Sequence, residues 1–448
     1  MKVLLIGNGA REHALAEAIL RSREKPQLIV YADKINPGLI KVATTYELTP
    51  SLTDFTKLPA LIAREKPDFA VIGPEAPLVA GVADLLQSLG VPTFGPTKAL
   101  AQLEGSKSFT RSLQQDYSIS GMPAFATFFR WDADTTREEV GDLIRKFMES
   151  LDGQFVVKAD GLTGGKGVQV VGDHLAGIED GLHYAMSCLE EDGRVVVEEK
   201  LIGEEFSLMF ISDGTTLVAC PAVQDHKRAF EEDKGPNTGG MGSYGDAGGS
   251  LPFLRESDLQ EARKITEEVL VALKKKTGEL FKGVMYGGFM ATSNGVKLIE
   301  YNARFGDTEA MNVLPILKTD FIDLLRAVAA GTLASVPIEW ENKATVVKYV
   351  VPEGYPNMPL ADEEIKIFGL PEGGRMYYAA VAMDDEGRIR TSSSRAIGFV
   401  GIADTLASAE RIAEAGAKSA EGKIVHRRDI GTEMLINRRV MHMLKLRK

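Results

Sequence analysis

A chain of 448 residues with net charge −11, 44% hydrophobic and 26% charged residues is too long for one ordinary domain and too balanced for a disordered, collagenous or coiled-coil protein. At roughly 150 residues per domain, about three cores are expected. Mixed acidic and basic residues argue against a nucleic-acid partner, and no run approaches the ~20 apolar residues of a membrane span. MKVLLIG is too short for a signal peptide, so a cytoplasmic location is expected. Cys188 and Cys220, without CxxC or His at ligand spacing, suit packing in a reducing compartment.

The first hundred residues alternate apolar runs with helical segments: VLLIG, Arg11 to Arg21, LIVY, Thr53 to Arg64, FAVIG, Leu78 to Gln87, VPTFG. This βαβ rhythm predicts a parallel sheet covered by helices, with a ligand at the strand ends, where GNG (Gly7 to Gly9) and GPEAP (Gly73 to Pro77) fall. From about Leu103 the texture changes. A helix through EGSKSFTRSLQQ is expected, then QQDYSISGMPAFATFF, for which no role is evident, then FVVKAD, GLTGGKG, a helix from about Leu175 to Leu189, and VVVEEKLIGEEFS. Further on come a polar loop QDHKRAFEEDKGPNTGGMGSYG, a helix from about Asp258 to Lys276, LIEYNARFGD, and a small α+β region from about Val336 with a helix around Leu406 to Ala420.

Glycines in GLTGGKGVQVV let backbone N–H groups approach an anion closely, and Lys166 adds charge, so the segment reads as a phosphate-covering loop. It is not a Walker A loop, because an apolar strand follows it. Lys158, ending a buried strand, needs a negative partner, which a nucleotide phosphate would supply. Backbone groups at Glu199 to Leu201 suit an adenine edge, and Glu205 suits ribose hydroxyls; a solvated strand end is the plainer alternative. In LIEYNARFGD, period two puts Glu300 and Asn302 on one face as oxygen donors for Mg²⁺. Arg304 shares that face if the strand persists, as a planar cation for a carboxylate or a phosphoryl group. Asn237, Thr238, Gly239 and Gly240 offer donors for a small substrate. His226 is a candidate general base or a binding or solvated residue, and His13 a positioning or packing one. At Gly7 and Gly9, Glu12 replaces the third glycine of GxGxxG, which disfavours a dinucleotide.

In order, GNGAREHAL, GPEAPLVAG, FGPTKALAQLEGSK, VVKADGLTGGKGV, QDHKR, GPNTGGMG and IEYNARFGDTE resemble the phosphoribosylamine–glycine ligases of the ATP-grasp superfamily. The resemblance covers residues 1 to 315 most closely and implies a multidomain α/β and α+β fold. Its parts are a Rossmann-like domain at 1–103, an ATP-grasp domain of two subdomains at 104–330 with its lid at about 123–198, and a C-terminal α+β domain at 331–448. It also implies a carbon–nitrogen ligase of purine synthesis that joins glycine to 5-phosphoribosylamine through glycyl phosphate, releasing ADP and phosphate. Another ATP-grasp ligase with a different acceptor is the alternative. ATP and Mg²⁺ (or Mn²⁺) would be required, with small-molecule substrates, no nucleic acid or membrane partner, and a monomer or weak dimer.

By the same resemblance, Lys107 and Lys158 contact ATP phosphates, and Gly164, Gly165, Lys166 and Gly167 form the lid. Glu199 and Leu201 hold adenine, Glu205 the ribose, and Glu300 and Asn302 the metal. Arg304 and Lys158 act in catalysis, with Arg304 on the transferring phosphoryl or the glycine carboxylate. Asp225, Asn237, Thr238 and Gly240 line the acceptor site, and Gly9 and Glu75 lie near phosphoribosylamine. One departure stands out: Gly288 is found where some relatives carry a metal-binding Gln twelve residues before Glu300.

Overall fold

Residues 1–164 and 167–448 are described by the computed structural model of the chain. The N-terminal runs form the expected parallel sheet, in the order Thr45–Leu48, Gln27–Ala32, Lys2–Ile6, Phe69–Ile72, Thr93–Phe94. Helices cover both faces, which is why Val3, Leu4, Leu5 and Ile6 are all fully buried and the strand reads as an unbroken apolar run. Strand order reverses between Lys2–Ile6 and Phe69–Ile72, and the turns at Gly7 and Gly73 leave the sheet at that switch point.

EGSKSFTRSLQQ is two helices rather than one, Lys98–Gly105 and Lys107–Asp116. Ser106 breaks the run: its extended backbone and its hydroxyl, which accepts from the Phe109 amide, cap the second helix. The QQDYSISGMPAFATFF stretch is the crossing to a separate four-stranded antiparallel sheet. Ile119 stays in the main core and Phe125–Phe129 becomes the edge strand beside Arg194–Glu199, Phe155–Ala159 and Val168–Val170. Helices Arg137–Ser150 and Ile178–Asp192 close a core of their own around Ile144, Met148, Phe155 and Leu189.

The central sheet runs Leu217–Ala219, Glu204–Asp213, Lys282–Thr292, Gly295–Asn302, all antiparallel, and helix Glu256–Thr277 lays Ala262, Ile265, Val269 and Leu273 on its body. A further sheet joins two short strands from the polar loop region, Gln224–Asp225 and Gly242–Gly245, to Ala344–Pro352, Ile397–Ala403 and Gly374–Tyr378. Helix Leu406–Lys418 packs on it, and a last helix runs from Glu433 to Leu446. Among the described residues, no helix is long and apolar enough to cross a membrane.

Candidate active site

The strand Phe155–Ala159 carries Lys158 into a buried position, and its partner is a protein carboxylate. Lys158 Nζ lies 2.7 Å from Glu198 Oε2 and donates to the Ile299 carbonyl at 3.1 Å. Arg111 grips the same carboxylate with two bonds of 2.6 and 2.9 Å. Burial pushes Glu198 up, but Arg111 and Lys158 outweigh it and hold the carboxyl at about 2. The expectation that Lys158 has no anion until a phosphate arrives is therefore corrected: Glu198 of the neighbouring strand stands beside it, although this one carboxylate, shared with Arg111, leaves the trio one positive charge in excess.

The start of the glycine-rich loop is fixed to the capped helix. Asp160 accepts from the Ser108 amide at 3.1 Å and the Ser108 hydroxyl at 2.7 Å, while Lys107 Nζ donates to the Gly161 carbonyl at 2.7 Å. Gly161 and Gly164 have φ of +113° and +58°, backbone that favours glycine, and the Gly167 carbonyl accepts from Ala159 to close the hairpin. Gly165 and Lys166 lie outside the described residues. At the other side of this sheet the Glu199 amide and carboxylate both pair with the backbone of Ala124, at 2.9 and 3.0 Å. Among the described residues the backbone of Leu201 has no hydrogen-bond partner, which leaves it open to a ligand edge.

Glu300 and Asn302 do share a face, but a bulge sets it. Gly288 pairs with Glu300 and Phe289 with Leu298, so Ile299 has no opposite residue, and its free carbonyl receives Lys158 and Arg111. Tyr301 is buried on the opposite face. The strand ends at Asn302, so Arg304 does not share its alternation and enters the site from the following turn. Lys227 lies beside Glu300, Nζ to Oε1 3.4 Å, and holds its carboxyl down to about 2 against burial. An ionised carboxylate and an amide oxygen on one face suit a hard cation. Among the described residues no group of three or more His, Cys, Asp and Glu is placed to hold a metal, so this pair would need phosphate or water oxygens to complete a coordination shell. Gly288, directly opposite Glu300, adds no side-chain donor.

Arg304 joins the two halves of the site. Its guanidinium lies 3.1 Å from Glu75 and 2.7 Å from Glu104, and Glu104 also accepts from the Ala303 amide at 2.7 Å. The Arg304 charge holds Glu75 at about 2, whereas full burial pushes Glu104 up to about 7 although Arg304 pulls the other way. Glu75 opens the helix Glu75–Ala80 at the N-terminal switch point, so this ion pair ties that sheet to the central one.

The polar loop folds back on itself. Thr238 bonds the Lys227 carbonyl through both amide and hydroxyl, at 2.7 and 2.9 Å, and its hydroxyl accepts from Gly240 at 3.0 Å. Asn237 pairs with Arg228 in a short hairpin. Gly240, at φ +110°, has no room for a side chain, since a Cβ would lie 2.5 Å from Asp225 Oδ1. Burial and the nearby Glu309 push the Asp225 carboxyl well up. Arg395, far away in sequence, clamps the loop through the Gly239 and Gly240 carbonyls at 2.7 and 2.9 Å while stacking on Tyr349. His226 turns away from the cleft: both ring nitrogens are buried without a partner, and burial pushes the ring down to about 3, which removes it as a base near neutral pH. His13 packs between Tyr377 and Tyr378.

At the opening turn, Glu12 occupies the cradle itself. Its carboxylate accepts from the Gly9 amide at 2.5 Å and from Arg11 at 2.6 Å, and its Cγ would stand 2.7 Å from a Cβ at Gly7. A pyrophosphate has no space there, and the Gly9 N–H is already used. A Cβ on Gly73 would overlap the same carboxylate. Gly73→Ala is therefore expected to cost about 1–3 kcal/mol in urea unfolding, and to cost less than this when introduced into a Glu12→Ala background, where the clash is absent.

Comparison with known proteins agrees with this layout. Family models described as phosphoribosylglycinamide synthetase match in series: the N domain over residues 1–104, the ATP-grasp (A) domain over 105–310 and the C domain over 345–433. A phosphoribosylamine–glycine ligase of Methanosarcina barkeri is 45% identical over 447 residues, covering 100% of both chains. The crystal structure of the phosphoribosylamine–glycine ligase of Thermotoga maritima superposes with a TM-score of 0.79 at 26% identity, covering 96% of this chain and 100% of that one. A biotin carboxylase of Campylobacter jejuni, solved as a β-γ-ATP complex, shares the fold at TM-score 0.71 and 14% identity, covering 99% and 98%. With three family domains matched in order and full-length relatives at this identity, the chain belongs to the phosphoribosylglycinamide synthetase family.

Proposed function

We propose that the chain ligates glycine to 5-phosphoribosylamine at the expense of ATP, giving glycinamide ribonucleotide, ADP and phosphate. The observation that carries this reading is the gathering of Lys107, Lys158 and Lys227 around the ionised Glu300 beside Asn302, with Arg304, bridged to Glu75, on the turn that follows the same strand. In the first step a glycine carboxylate oxygen attacks the γ-phosphorus and ADP leaves. In the second, the amine nitrogen attacks the carbonyl carbon of glycyl phosphate, phosphate departs and the nitrogen gives up a proton. Neither step needs a protein nucleophile; both need charge neutralisation, alignment and exclusion of water.

Lys107 and Lys158 would hold the phosphates, Gly164, Gly165, Lys166 and Gly167 would cover them, and the backbone of Glu199 and Leu201 with the Glu205 carboxylate would orient the nucleoside. Mg²⁺ or Mn²⁺, held by Glu300 and Asn302, would supply Lewis-acid neutralisation of phosphate charge. Arg304, its direction set by Glu75 and Glu104, would face the reacting carboxylate or phosphoryl group. Asp225, Asn237, Thr238 and Gly240 would line the acceptor side, with Glu75 and Gly9 near phosphoribosylamine. The division into 1–103, 104–330 and 331–448, a cytoplasmic location and a monomer or weak dimer belong to the same proposal.

The test mixes the protein with ATP, Mg²⁺, glycine and freshly made phosphoribosylamine and follows ADP. Release that requires both glycine and phosphoribosylamine is expected; release indifferent to phosphoribosylamine would overturn the assignment.

A further inference from the structure

We propose that Lys227 is a resident counter-ion at the metal-binding face: it holds Glu300 until nucleotide arrives and then passes to the phosphate chain, so that the divalent cation enters with the nucleotide and not before it. This rests on the assignment of Glu300 and Asn302 to the metal. The Lys227 ammonium stands between two carboxylates with different proposed partners, 3.4 Å from Glu300 on the metal side and 3.8 Å from Glu205 on the ribose side. Its backbone is held independently of that charge, because Thr238 bonds the Lys227 carbonyl twice, at 2.7 and 2.9 Å. A compact charge on a flexible four-carbon stem can therefore swing about a fixed point, and 37% of the side chain is exposed.

Among the described residues the neighbouring cations are not paired with Glu300: Lys158 stands on Glu198 at 2.7 Å and Lys107 on the Gly161 carbonyl at 2.7 Å. A divalent ion and an ammonium on the same Glu300 carboxylate would set like charges in contact in a partly buried place, where their repulsion is weakly screened. With no phosphate present, one of the two must leave, and the tethered lysine has the entropic advantage. A polyphosphate brings enough negative charge to hold both, which releases Glu300 to the metal and gives Lys227 a new anion.

Binding of Mn²⁺ without nucleotide, followed by the electron paramagnetic resonance of the free ion, tests this. Lys227→Met is expected to bind Mn²⁺ about tenfold tighter than the unaltered protein, a change of about 1.4 kcal/mol. Lys227→Arg, which keeps the charge, is expected to stay near the unaltered level. With ATP present the order should reverse, Mn²⁺–ATP binding about tenfold weaker to Lys227→Met, since a phosphate contact of roughly this size is lost. Nucleotide-free binding that is unchanged or weaker in Lys227→Met overturns the proposal. Glu300→Gln, alone and combined with Lys227→Met, separates the two layers: if Mn²⁺ binding survives it, the metal assignment itself fails. If Glu300→Gln abolishes binding while Lys227→Met gains nothing, only the counter-ion role fails.

Discussion

Glu300→Ala should reduce kcat by about a thousandfold, close to 4 kcal/mol of transition-state stabilisation, while the protein remains folded. The two halves of this expectation have separate causes. Catalysis suffers because Glu300 is the charged member of the Glu300–Asn302 oxygen pair, and neutral Asn302 alone would hold a divalent ion poorly. The fold is spared because the carboxylate supports no packing: its protein partner is Lys227 at 3.4 Å, with 29% and 37% of the two side chains exposed. An ion pair this open contributes about 1 kcal/mol or less. Steady-state kinetics beside a urea titration checks both, and an unaltered kcat would remove Glu300 from the metal.

Glu198→Ala should act the other way, through stability, with a loss of about 3–5 kcal/mol. It leaves Lys158 and Arg111, 6% and 2% exposed, buried beside each other without their shared anion. If that variant does not accumulate, the combination Glu198→Leu, Arg111→Met, Lys158→Met should recover much of the stability by replacing the buried charges with apolar volume, yet remain inactive for want of Lys158. A chemical-denaturation midpoint reads the first effect and turnover the second. Acid gives an independent readout. The folded carboxyl lies at about 2 against an ordinary 4.5, so its contribution is fully present above about pH 4.5 and disappears as the pH falls towards 2.

The parallel sheet was legible because burial on both faces forces unbroken apolar runs such as VLLIG. The Glu300–Asn302 face was legible from period two alone, although the bulge at Ile299 that sets it was not, since an extra residue leaves no mark in a hydrophobic pattern. Lys158 was marked as needing an anion, but Glu198 sits on another strand some forty residues on, and alternation along one strand says nothing about register across two. Arg395 clamps Gly239 and Gly240 from the far end of the chain and carries no local signal. Lys227 stands inside QDHKR without a local mark of any task, because its significance lies in the distances to Glu205 and Glu300.

The sheet that joins Gly242–Gly245 to Ala344–Pro352 has a consequence for how this protein can be divided. The polar loop between Asp225 and Gly242 is stitched, by two strands too short to fold alone, into a layer built mostly from the last hundred residues. A fragment ending before Ala344 would keep the strands that carry Lys158 and Glu300 but expose an unpaired edge at Gly242–Gly245 and lose the Arg395 clamp. The C-terminal quarter is thus not an accessory that recombination can exchange freely: any replacement must bring both the matching strand and the arginine, and the two must be inherited together with the loop they hold.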